Sequence, residues 1–144
     1  MAPDTQTDID DLIEEFDFLD DWEERYRYLI DMGKALPALP QSEKTEANRV
    51  KGCTSRVWLA ISPPQNNVFE FQADSDAHIV KGLAALMIRL YSGRAASEIG
   101  EIDARSVLEK IGLAEHLSPQ RSNGLNSMIA RIKTEAAEIQ AAHR

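Results

Sequence analysis

Apolar residues recur at helical spacing in the first 33 residues. A first amphipathic helix, capped by Thr7 or Asp8, is predicted from four positions at i, i+3, i+4, i+7 spacing: Ile9, Leu12, Ile13 and Phe16. The same pattern resumes after Asp20-Asp21, at Trp22, Tyr26, Leu29 and Ile30. Gly33 is predicted to end this second helix, which gives an antiparallel helix pair. Residues 1–7 show no periodicity and are expected to be disordered.

The middle of the chain changes to the patterns of loop and strand. Pro37 and Pro40 disfavour a helix over residues 34–48, which we interpret as a surface connection attached through Leu36 and Leu39. Residues 57–61 and 68–71 are short, rich in β-branched and aromatic side chains, and predict a β-hairpin. A third strand through residues 49–51 is also expected.

Helical patterns return in the second half. Asp74, Ser75 and Asp76 offer N-cap chemistry for an apolar helix that runs from Ile79 to a stop at Gly93. Residues 106–111 predict another helix, ending at Gly112, and Ser118-Pro119 marks the start of a last one. This order of elements predicts an α+β fold with a small antiparallel sheet of about three strands packed against several helices. The length fits a single domain, 1–144.

Charge is distributed unevenly and restricts the classes of partner. The net charge is −8, with −10 in residues 1–33 and +2 in the remainder. Such an acidic chain is a poor candidate for nonspecific nucleic-acid binding, which needs clustered Lys and Arg. Without a long apolar run or a basic leader at its acidic start, the chain is expected to be soluble and cytoplasmic, with no membrane partner.

The single cysteine, Cys53, lies where a turn gives way to a strand-like run. A glycine precedes it and Thr54 follows it, whereas a cysteine that only fills the core usually lies in an apolar stripe. Its thiolate would be the nucleophile, and about 3% is ionised at pH 7 with an ordinary pKa. In an extended chain Arg49, Lys51 and Cys53 would project to one face. The two basic residues would then either raise the ionised fraction of the thiol or only keep a sheet edge soluble.

Three other chemistries have little support in the sequence. The three histidines, His78, His116 and His143, are scattered without the spacing of metal ligands, so no metal site is expected. No glycine-rich phosphate loop indicates a bound nucleotide. A cysteine hydrolase or acyl transferase would need His78 or His116 to fold beside Cys53 as a base.

The chain resembles the SufE family of sulfur-acceptor proteins over most of residues 9–135, and the resemblance rests on four ordered segments. They are WEERY at 22–26 with LP at 36–37, VKGCTSRVW at 50–58, DSDA at 74–77 with IVKGL at 79–83, and HLSPQRSNGL at 116–125. The resemblance implies a SufE-like fold, which is similar to that of the IscU-type iron–sulfur scaffold proteins. Those scaffolds use several cysteines as cluster ligands, whereas this chain has one.

The resemblance also implies a function. Cys53 would receive sulfur from the persulfide of a partner cysteine desulfurase (SufS- or CsdA-like), stimulate it, and pass the sulfur on for iron–sulfur cluster assembly. Pyridoxal phosphate would belong to the desulfurase, so this chain would carry no cofactor and would not turn over by itself. A noncovalent regulatory adaptor of a desulfurase remains the alternative, with a cysteine hydrolase as a further one.

Further residues carry over from the family as candidates for shaping the loop or contacting the partner: Gly52, Thr54, Ser55, Arg56, Lys51, Asp74 and Arg121. Many relatives have glutamines where this chain has Thr54 and Arg56, so an added charge flanks the thiol. Asp74 would otherwise be only a helix cap, and Arg121 only a structural arginine near a helix start.

Overall fold

The computed structural model describes residues 5–52 and 55–142, and within them the fold is α+β, as predicted. The strands are β1 (Val57–Ile61) and β2 (Phe71–Ser75), which pair antiparallel. The helices are α1 (Thr5–Asp17), α2 (Trp22–Ala35), α3 (His78–Tyr91), α4 (Ala96–Glu101), α5 (Ala104–Lys110) and α6 (Pro119–Ala142). Short 3₁₀ turns lie at Gln41–Glu43 and Ala114–His116. None of these helices is long and apolar enough to span a membrane.

The sheet is smaller than predicted. Its register runs from Val57 opposite Ser75 to Ile61 opposite Phe71, so the second strand starts at Phe71 and not at residue 68. The strand starts later because of the turn before it, where Asn66 and Asn67 adopt positive φ and an isolated bridge joins residues 65 and 68. Within the described ranges, the predicted third strand is reduced to one bridge between Arg49 and Trp58.

Several predicted helix ends are confirmed by the backbone. Gly93 and Gly112 follow α3 and α5 with positive φ, the conformation that favours glycine after a helix. Ser118 caps α6, because its Oγ accepts a hydrogen bond from the Arg121 amide at 3.2 Å. The start of α1 was predicted too late: residues 5–7 are helical, so the helix begins before Thr7 and Asp8.

Gly33 was wrongly predicted as the end of α2. It lies inside the helix, buried against Gly82 of α3, and α2 continues to Ala35. A Cβ at position 33 would lie 2.7 Å from the Gly82 nitrogen, so the glycine permits a close approach of two helices. Accordingly α2 makes its main helix contact with α3 rather than with α1. Contact with α1 includes the rings of Phe16 and Tyr28, 5.2 Å apart.

Helix α3 is buried along most of its length. β2 lies against α3, while α6 contacts both α3 and α4. Leu39 of the 34–48 connection is buried and Leu36 is partly buried, as predicted. The short α4 was not predicted, since its six residues contain little periodicity. This arrangement brings α3, α6 and the start of β1 together.

Candidate functional site

The loop that carries Cys53 is closed at its base by a backbone hydrogen bond. The Val50 amide donates to the Val57 carbonyl at 2.8 Å, and both valine side chains are buried. Val50 and Val57, on either side of the segment that contains the cysteine, are therefore held together. Cys53 and Thr54 lie outside the described residues, so their predicted roles stay predictions.

The segment that leaves the loop is tied to the end of β2. The Arg56 amide donates to Asp76 Oδ1 at 3.1 Å, and the Asp76 amide donates to the Arg56 carbonyl at 3.3 Å. Ser75 Oγ donates to the same carbonyl at 2.7 Å. The Arg56 backbone is thus fixed while the residue remains exposed.

The segment that enters the loop is tied to α6. Arg131 Nη1 donates to the Arg49 carbonyl at 2.7 Å, and Nη2 donates to the Ala47 carbonyl. Gly52 has φ of +89°, and a Cβ there would lie 3.0 Å from Ser127 Oγ. The predicted loop-shaping role of Gly52 fits this conformation. Arg131 was missed by sequence reasoning, because neither its type nor its spacing distinguishes it from a solvated helix arginine.

A cavity of about 410 Å³ lies between this loop, α3 and α6. Its apolar wall comes from β1, α3 and α6, and its polar side includes residues near the start of α6. The lining residues are Ser55, Val57, Val80, Leu83, Ala84, Ser118, Gln120, Arg121, Gly124, Leu125 and Met128. The lining draws on three sequence segments that carry the family resemblance, 50–58, 79–83 and 116–125.

Ser55 and Arg121 are brought together at this cavity, and Lys51 is not among its lining residues. Arg121 is exposed at the first turn of α6. Lys51 Nζ forms an exposed ion pair with Glu46 at 2.6 Å, and its hydrogen bond is the largest influence lowering the pKa of Glu46. Solvent-exposed pairs of this kind hold the charge only weakly in place.

Asp74 is not a helix cap, because it lies in β2 and the cap position of α3 is Ala77. Its side chain is buried at 4% exposure and accepts hydrogen bonds from the Leu39 amide at 3.0 Å and the Ser75 amide at 2.8 Å. Lys81 and Lys44 lie 3.4 and 3.5 Å from its oxygens. This burial leaves Asp74 poorly placed to contact a partner.

His78 and His116 are not among the residues that line the cavity. His116 stacks on Trp22 with ring centroids 4.0 Å apart, and His78 is the exposed first residue of α3. His143 lies outside the described residues. In residues 5–52 and 55–142 no three His, Cys, Asp or Glu side chains are grouped to hold a metal. The hydrolase alternative therefore gains no support from these histidines.

A family model described as "SufE: Fe-S metabolism associated domain" matches residues 10–136. The chain belongs to the SufE family. An uncharacterized SufE-like protein of Rhizobium etli is 53% identical over 131 residues, covering 89% of this chain and 88% of the relative. Another, of Rhizobium meliloti, is 52% identical over 133 residues, covering 90% and 95%.

The fold is also found among solved structures. The solution structure of a hypothetical protein from Thermus thermophilus superposes with a TM-score of 0.77, covering 98% of this chain and 99% of that protein. At 20% identity this likeness concerns the fold alone. Membership of the SufE family associates the chain with iron–sulfur metabolism.

Proposed function

We propose that this SufE-family chain is a sulfur acceptor and carrier that acts through Cys53. The Cys53 thiolate attacks the terminal sulfur of a persulfide on a partner cysteine desulfurase. A new S–S bond forms on Cys53, the old S–S bond breaks, and the donor cysteine leaves as a thiolate. No external oxidant or reductant is needed, since sulfane sulfur only changes carrier.

The observation that carries this proposal is the placement of the loop that contains the chain's single cysteine. The described residues on either side of Cys53 are tied to β1, β2 and α6, and Ser55 and Val57, which follow it, line a largely apolar cavity. A cavity of this kind would shelter a persulfide from stray thiols and oxidants, to which exposed thiolates are most susceptible. A recipient would then take the sulfur from Cys53.

The carrier role assigns the remaining chemistry to the partners. Release of sulfur from L-cysteine belongs to the desulfurase and its pyridoxal phosphate, so this chain has no independent turnover. Stimulation follows because removal of the product persulfide frees the desulfurase for another cycle. We assign the carrier to the cytoplasm, where thiols are kept reduced, and an iron–sulfur scaffold is the downstream recipient.

The test is intact-protein mass spectrometry after incubation with an active cysteine desulfurase, pyridoxal phosphate and L-cysteine. The native chain should gain one or more sulfur atoms in a form removed by a reductant, and Cys53→Ala should gain none. Ser97→Ala is the matched control, since it changes an exposed residue of α4 that does not line the cavity and keeps the thiol. Circular dichroism should give the same fold for all three proteins, because a substitution in a loop or at an exposed helix position costs little stability.

Stimulation of the desulfurase distinguishes the carrier from an adaptor. Under the carrier mechanism, Cys53→Ala loses stimulation together with sulfur loading. Full stimulation by this variant would instead establish a noncovalent adaptor and overturn the proposal.

A further inference from the structure

Arg131 joins residues 47–50, the segment that precedes Cys53, to α6. We infer that Arg131 is a positioning residue, which holds this segment in register with the cavity beside the loop. The geometric part of this role, the hold on the segment, concerns the folded chain alone. The kinetic part, the effect on sulfur transfer, rests on the proposed function.

In the part of the chain that the structure describes, the carbonyls that Arg131 binds have no sheet partner. The Asn48 carbonyl accepts from the Leu59 amide of β1 at 2.8 Å, whereas the carbonyls of Ala47 and Arg49 accept from Arg131. Because the bridge between Arg49 and Trp58 is isolated, no strand among the described residues supplies donors on this side. The Arg131 guanidinium supplies the donors that a neighbouring strand would otherwise supply to these two carbonyls.

The side chain of Arg131 is suited to this role. It is only 19% exposed, and its Nε lies 3.4 Å from Glu135 Oε1, one helical turn further along α6. Arginine presents several N–H donors in a planar fork, so one residue serves two carbonyls and a carboxylate together. A lysine ammonium lacks this geometry and would be expected to keep the contacts only in part.

The same helix forms a wall of the cavity through Gly124, Leu125 and Met128. Arg131 therefore couples the incoming segment to the cavity wall, while Val50 and Val57 close the base of the loop. Both described ends of the segment around Cys53 are therefore held, at Val50 and at Val57. Without Arg131, the segment from Ala47 to Val50 separates more often from α6.

Amide hydrogen exchange tests the geometric part on the full chain without a desulfurase. The amides of Val50 and Leu59 report on the segment, since their hydrogen bonds join it to β1. Arg131→Met should raise their exchange about tenfold, the effect expected from losing charge-assisted hydrogen bonds. Arg131→Lys should recover part of the protection. Methionine and lysine keep a high helix propensity, so α6 should be retained.

Arg105→Met is the matched control. It removes an arginine whose Nε donates to Asn126 Oδ1 on α6 at 3.2 Å and which does not line the cavity beside Ser55. Its exchange at Val50 and Leu59 should equal that of the native chain. Unchanged exchange in Arg131→Met would overturn the inference, as would an equal rise throughout the buried amides of α3, which would indicate general destabilisation.

Desulfurase stimulation tests the kinetic part. Because Arg131 contacts its own chain, Arg131→Met should lower the maximal rate severalfold and leave the half-saturating concentration unchanged. Arg131→Lys should be intermediate. A raised half-saturating concentration with an unchanged maximal rate would overturn positioning in favour of docking. Failure of the native chain to load sulfur would refute the proposed function, while the exchange result would still decide the geometry.

Discussion

At the residue scale, two glycines set the distance between α2 and α3. A Cβ at Gly33 would lie 2.7 Å from the Gly82 nitrogen, and a Cβ at Gly82 would overlap the Leu29 carbonyl oxygen. The obstructing atoms belong to the backbone, so they cannot move aside as a flexible side chain would. Neither glycine is used here for a positive φ.

Gly82→Ala should therefore destabilise the protein by about 1–3 kcal/mol, the usual cost of overpacking a core. Urea denaturation would measure the loss. The matched control is Gly100→Ala in α4, where a Cβ meets no atom within 4 Å. This control should stabilise by about 0.5–1 kcal/mol, since alanine is the better helix former. Equal free energies of unfolding for the two variants would contradict the close-approach explanation.

At the scale of elements, Asp74 holds three segments together. From β2 it reaches the Leu39 amide and Lys44 in the 34–48 connection, and Lys81 in α3. Lys44 also lies over the Trp58 ring of β1, with its Nζ 5.3 Å from the centroid. Breaking one partner of a buried charge cluster leaves the others without compensation. The cluster therefore fixes the connection against the sheet.

The pKa of Asp74 follows from these contacts. Burial acts to raise it, but hydrogen bonds from the Leu39 and Ser75 amides, with Lys81 and Lys44, lower it below its usual 3.8. The ionised form therefore stabilises the fold fully above the unfolded-state pKa. This contribution is lost as the pH falls through the lowered folded-state pKa.

Asp74→Asn should cost about 1–3 kcal/mol at pH 7, because the amide cannot replace the charge toward both lysines. The difference from the native chain should shrink as the pH falls below about 4, where Asp74 of the unfolded chain becomes protonated, and should be lost once the folded-state carboxylate is protonated as well. Thermal denaturation from pH 7 to pH 2.5 would measure it. A constant difference across this range would show that ionisation of Asp74 does not contribute to stability.

At the scale of the molecule, every α-helix and both strands contribute to one hydrophobic cluster. Buried members from successive elements include Leu12, Leu29, Val57, Phe71, Leu86, Ile99, Leu108 and Ile132. A shared core couples the elements, since loss of any one exposes apolar surface on its neighbours. The predicted single domain of residues 1–144 should therefore unfold as one unit.

We expect one cooperative unfolding transition in urea. Far-UV circular dichroism reports the helices, while fluorescence reports Trp22 in α2 and Trp58 in β1. Coincident curves from both probes are the signature of two-state unfolding. Separate midpoints would show that the helical and sheet regions unfold independently and would contradict the single-domain prediction.

Local sequence patterns predicted much of this architecture because helix periodicity, proline and caps act over a few residues. Ser118 starts α6 and Gly93 follows α3, as predicted. Gly33 was misassigned because a glycine after an apolar stripe has the same local pattern whether it ends a helix or packs inside one. Asp74 was misassigned for a similar reason, since its cap-like context conceals its burial in β2.

The sequence by itself determined the α+β class, the family and the position of the lone cysteine, since each is encoded in composition or in contiguous motifs. Only the tertiary structure decided the cavity beside Ser55, the contact between Gly33 and Gly82, and the hydrogen bonds from Arg131 to the segment before Cys53. These features join residues distant along the chain. Their geometry follows from how the helices dock, which the local pattern of any one segment does not encode.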